Sequence, residues 1–190
     1  MAVLTPSSAI DLRVRRRVED LSSLDLARLR RAFEAMMQVD DGRGYQYWAG
    51  LHGLPLPMYG NHGQPSFLPW HRLYLARFEE ALREFEPGVA LPWWDWTNRG
   101  EIPAAFSAPE IEGRPNPLHH ATIDSGTWGA TDNAEPNETT RQPGTPDQLP
   151  GRDLVDRALE VGDFEQFSKQ LEHIHNTLHV WVGGTNNSIP

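Results

Sequence analysis

At 190 residues, with 38% hydrophobic and 23% charged side chains, the chain suits a single domain over residues 1–190 that can bury a core. Its net charge of −9 argues against a nucleic-acid partner, and no apolar run approaches the ~20 residues of a membrane span. With no cysteine, disulfides, thiolate metal ligands and cysteine nucleophiles are excluded.

The opening stretch, MAVLTPSSAIDLRVRRRVEDL, lacks the uninterrupted apolar region of a secretory signal, so a cytoplasmic protein, or one exported with a partner, is expected. The run RVRRR, Arg13 to Arg17, reads as a solvated or inter-element salt-bridging patch. SSLDLARLRRAFEAMMQVDD predicts a first strong helix, with Ser23 as its cap and Leu24, Leu26, Leu29, Phe33, Met36 and Met37 as an apolar stripe. Aromatic spacing after Gly44 predicts a short helix ending at Gly53, followed by Pro and Gly turns. SFLPWHRLYLARFEEALREFEPG predicts a second strong helix, which Ser66 can cap, whose first turn Pro69 fits, and which EPG ends. VALPWWDWTNRGEIP is aromatic but irregular, and Asp95 within it reads as structural, bonding backbone or an arginine.

Residues 107–151 hold seven Pro and five Gly with almost no periodic pattern, which predicts a long ordered loop. A short helix in DLVDRALEVG and a last strong helix in DFEQFSKQLEHIHNTLHVWVGG follow, the latter capped near Asp163 and closed by Gly183 and Gly184. Helices joined by long loops, with no strand series, predict a mainly α fold built as a helical bundle.

The last helix places three of the chain's eight histidines, His173, His175 and His179, within seven residues. At about 100° per residue, Glu172, His175, Asn176 and His179 share one face and His173 points away. Two imidazoles one turn apart can reach one metal ion, as in bundle metal sites. His52, His62 and His71 form a second group upstream. All-imidazole donors suit copper, zinc or iron, and two clusters suggest two metals.

These stretches together, His52 and His62 with FLPWHRLYLARFEEAL, then LPWWDWTN, then LEHIHNTLHVWVGG, resemble the tyrosinase and catechol-oxidase family of dicopper proteins. The resemblance runs from about Tyr45 to Gly184 and leaves out the Pro/Gly-rich loop. It implies a four-helix bundle around two copper ions, with His52, His62 and His71 matching the copper A ligands and His175 and His179 the first two of copper B. Glu172 and Asn176 match a pair that in some members holds a water able to deprotonate a phenol. The implied activity uses O₂ as co-substrate to hydroxylate monophenols at the ortho position, to oxidise o-diphenols to o-quinones, or both, on a small phenolic substrate. Trp70, Phe67 and Trp94 could wall the site, although core packing is the commoner role for such rings.

The family's third copper B histidine lies further beyond the second than this sequence extends after His179. A second polypeptide carrying the C-terminal remainder is the leading expectation for its source. His119 or His120 from the long loop is a lesser alternative, and a truncated chain with an incomplete site is another. A copper-loading helper protein is a possible partner for members of this family. Without cysteine, the thioether link to a copper A histidine seen in some members is impossible, and Val180 offers no charge to guide acidic phenols. Three other readings compete: a dicopper O₂-binding protein without turnover, a zinc hydrolase, and a helical interaction module with incidental histidines.

Overall fold

The computed structural model describes residues 13–53, 61–124, 137–139 and 141–183. It is mainly helical, as the sequence predicts, with helices α1 (Ser23–Met36), α2 (Tyr45–Gly53), α3 (Phe67–Phe85), α4 (Ala104–Ser107), α5 (Arg152–Leu159) and α6 (Phe164–Gly183). The strands are two-residue pieces: β1 (Glu110–Ile111) pairs antiparallel with β2 (Arg114–Pro115), and β3 (Thr122–Ile123) with β4 (Asn137–Glu138). No helix among the described residues is long and apolar enough to cross a membrane.

The start of α1 corrects the expected cap. Ser22, not Ser23, is the N-cap: its hydroxyl accepts from Asp25 N–H at 3.1 Å, and Asp25 Oδ2 accepts from Ser22 N–H at 3.2 Å. This reciprocal box satisfies two backbone donors that the first turn would otherwise leave open. The stripe is narrower than expected as well. Leu29 and Met36 are fully buried, whereas Leu24 sits in the first turn and is 56% exposed.

Helix α1 packs on α3, α3 on α6, and α5 on α6. Leu29, Ala32 and Met36 of α1 meet Trp48 of α2, Ala81 and Leu82 of α3, and Val89 and Leu118 beyond them. Each large apolar side chain fully buried there contributes about 1.5–3 kcal/mol. Gly44 lets the chain enter α2, because a Cβ at that position would stand 1.8 Å from the Val39 carbonyl oxygen. Ser66 precedes α3 without making a side-chain cap bond, so that helix start rests on Pro69 and on packing instead. At α6 the expected cap holds: Asp163 Oδ1 accepts from Gln166 N–H at 2.9 Å.

The arginine run does bridge elements. Arg15 Nε donates to the buried Glu79 at 2.9 Å, Arg16 pairs with Asp25 at 2.7 Å and Arg17 with Asp20 at 2.9 Å. Glu79 also accepts from Leu91 N–H at 2.8 Å, so one carboxylate ties the N-terminal segment, α3 and the following strand-like stretch together. The Asp95 carboxylate accepts from Thr97 Oγ1 and Asn98 Nδ2 in its own turn, where backbone or an arginine was the expected partner.

The Pro/Gly-rich loop is held by particular side chains. Asn116, fully buried, donates to the carbonyls of Ala105 and Ala108 and accepts from Leu118 N–H. Further on, Gln142 N–H and Gly144 N–H donate to Val182 and Trp181 carbonyls at 2.8 and 3.0 Å. Those carbonyls belong to the last turn of α6, which lacks intrahelical donors, so the loop satisfies the end of the helix that carries His175 and His179.

Candidate metal centre

His52 lies on the last turn of α2, His71 on the first turns of α3, and His175 and His179 one turn apart on α6; His62 sits in the turn before α3. The fold brings all five together. Ligand nitrogens of His52, His62 and His71 lie within 4.8 Å of one another, an arrangement able to hold a metal ion. His52 Nε2 and His71 Nε2 are 3.2 Å apart, and His175 Nε2 and His179 Nε2 are 2.8 Å apart. The two groups face each other, with ring centroids 5.4 Å apart for His71 and His175, 5.6 Å for His62 and His175, and 6.3 Å for His52 and His179.

Hydrogen bonds at the far side of two rings settle their tautomers. His71 Nδ1 donates to the Phe67 carbonyl at 2.8 Å, and His175 Nδ1 donates to Asn176 Oδ1 at 3.0 Å. Each therefore presents a bare lone pair at Nε2, the form a metal ligand requires. Burial pushes His52 down to about 3 and His179 to about 4, and neighbouring imidazoles add to both effects. Burial also lowers His71 and His175. Lone pairs crowded this closely repel one another unless a cation lies among them. His62 Nδ1 is buried without a hydrogen-bond partner, another polar atom left open on the same cluster. An all-nitrogen, partly buried donor set fits copper or zinc.

Glu172 and Asn176, the expected water-holding pair, both lie on α6 beside His175. Glu172 is buried and accepts from the backbone N–H of Gly63, next to His62. Asn176 is exposed and bonded to His175. Both border the cluster, and each supports a different histidine. His173 is exposed and points away, as the helical wheel predicts.

Of the three expected wall residues, two line the cluster. Phe67 is buried with its ring 4.3 Å from His71 and 5.1 Å from His175, and Trp70 lies 5.0 Å from His71 and 6.0 Å from His52. Trp94 packs instead against Trp96 and Trp181. His119 lies in a separate small cavity with Phe33, Met37, Tyr45 and Arg141, and His120 sits 3.8 Å from Glu138. Among the described residues, neither makes a ring contact or hydrogen bond with the five-imidazole cluster.

Sequence reasoning missed Gly63, Tyr74 and the Phe67 carbonyl. Tyr74 packs 5.3 Å from His52 and stacks on Trp70 at 5.1 Å. Its spacing from His71, one turn along α3, was the available signal.

The model of the common central domain of tyrosinase matches residues 42–190, a span that contains all five histidines. The chain belongs to the tyrosinase family. Within it, the chain is similar to units G and H of the hemocyanin of Sepia officinalis, 35% identical over 182 residues, covering 90% of this chain and 32% of that protein. It is also similar to the tyrosinase of Streptomyces lincolnensis, 32% identical over 146 residues, covering 65% of this chain and 54% of that one. Among solved structures, a functional unit of Octopus hemocyanin superposes with a TM-score of 0.75 at 33% identity, over 90% of this chain and 44% of that unit. The chain thus spans about a third of the Sepia sequence and less than half of the Octopus unit. A dinuclear copper centre is the cofactor that this family and this donor set imply together.

Proposed function

We propose that the domain is a copper-dependent phenol oxidase that uses O₂ to convert o-diphenols, and monophenols where they fit, to o-quinones. The observation that carries the reading is the facing arrangement of imidazoles, three from His52, His62 and His71 and two from His175 and His179. Copper held there would supply the binding and reduction of O₂. In net terms two o-diphenols give up four electrons and four protons to one O₂, leaving two o-quinones and two waters.

The chain's own groups have separable tasks. Phe67 and Trp70 keep water from the His71 side of the cluster. On the α6 side, Asn176 and Val180 are exposed, Val180 by 53%, which leaves a route for an aromatic ring. Glu172 stands one helical turn before Asn176 on α6. In this reading the two share a water that takes the phenol proton.

Three imidazoles on one side against two on the other support a sixth histidine from outside the described residues. A second polypeptide is our preferred source, and a copper-loading helper is a further partner to seek. The greater likeness to hemocyanins, in the Sepia and Octopus comparisons, favours a second reading: a dicopper protein that binds O₂ without turnover. Oxygen uptake by the copper-loaded protein with a catechol present separates the two. Sustained uptake with quinone formation supports the oxidase; stoichiometric, reversible binding supports the carrier.

A further inference from the structure

His71 and His175 are each fixed by a hydrogen bond on Nδ1, but His62 Nδ1 has no partner among the described residues. With no hydrogen bond on Nδ1, the direction of its ring comes from packing against Phe67 and the neighbouring imidazoles and from the backbone that carries it. His62 and Gly63 are the central residues of a turn closed by Gln64 N–H donating to the Asn61 carbonyl at 3.3 Å. Gly63 has φ +71°, the value that a type II turn demands at its third residue. In such a turn the peptide joining His62 to Gly63 takes no part in the closing bond, so its N–H needs a partner elsewhere. That partner is the buried carboxylate of Glu172, reaching across from α6, 109 residues away. Turning the peptide over would give a type I turn and present the His62 carbonyl oxygen to the same carboxylate, an unfavourable meeting of two acceptors.

We propose that Glu172 is a positioning residue that locks the His62–Gly63 peptide in its type II orientation and thereby sets the direction of the His62 imidazole. The proposal rests on reading His52, His62 and His71 as one ligand set, and it assigns Glu172 a task distinct from proton transfer. The lock also ties the turn that holds His62 to the helix that holds His175 and His179, so the two halves of the centre share one anchor.

The test begins with metal-free protein, which makes it independent of turnover. Deuterium exchange at the Gly63 amide should accelerate by about tenfold or more in E172A, since a charge-assisted bond is lost. E172Q, whose amide oxygen still accepts, should keep most of the protection. G63A, which disfavours positive φ, should release the turn by itself and leave little further effect for E172A to add. Copper titration should then show weaker first-site binding in E172A and G63A, by about tenfold or more, and recovery in E172Q. Unchanged Gly63 exchange in E172A, or E172Q as damaging as E172A, would overturn the lock. Expected behaviour of the Gly63 amide in a protein that binds no copper would leave the lock standing and remove the metal reading instead.

Discussion

The Tyr74 hydroxyl donates to the Trp48 carbonyl at 2.9 Å, joining α3 to α2 one turn from a histidine on each helix. Trp48 precedes His52 by four residues and Tyr74 follows His71 by three, so this bond sets the register in which the two ligand helices meet. Stacking of Trp70 on Tyr74 and of Tyr74 on Phe78 continues the contact along α3. Burial raises the Tyr74 phenol well above its usual range, so it remains a neutral donor.

Y74F keeps the ring and deletes the bond. We expect a loss of about 1 kcal/mol of stability, read from the urea midpoint, with the aromatic stack retained. No change in midpoint would show that the register is set by packing alone.

Asn176 holds His175 in the tautomer that exposes Nε2. N176L should weaken metal binding at the α6 pair by about 10–100-fold, while binding at His52, His62 and His71 is retained. Separate titration of the two sites checks this.

Metal removal should destabilise the fold, because the ion binds the assembled cluster and not the unfolded chain. At free copper about 100 times the dissociation constant the linkage is about 2.7 kcal/mol. A chelator should lower the melting temperature of wild type and leave that of an H71A/H175A double variant nearly unmoved.

The acid limb of stability has a local source in the α1 cap. The Asp25 carboxyl is held down at about 2 by the Ser22 hydroxyl and then by Arg16. Its folded value lies below its unfolded one, so the unfolded chain takes up the proton more readily. The stabilisation is complete above the ordinary carboxylate value and fades as pH falls through about 2. S22A should cost about 1 kcal/mol at neutral pH and make the stability profile flatter at acid pH, as followed by urea unfolding across that range.

The principal helices were legible because their apolar residues recur at helical spacing and their ends carry turn residues. The face of α6 was legible for the same reason: Glu172, His175, Asn176 and His179 follow from spacing alone. Local competition hid some details. Ser22 and Ser23 are adjacent, and only Asp25 three residues after Ser22 distinguishes the true cap. Leu24 reads as stripe but falls in the first turn, before the helix reaches the core. Contacts between distant segments had no sequence signal. The pairing of Glu172 with Gly63, the strapping of α6 by Gln142 and Gly144, and the separation of His119 from the cluster are products of tertiary packing.

Copper content tests most directly whether the five imidazoles form a dinuclear copper centre. Elemental analysis of the protein isolated in its native assembly should give two coppers per chain and no stoichiometric zinc. Zinc in place of copper, or no bound metal after copper loading, would contradict the account.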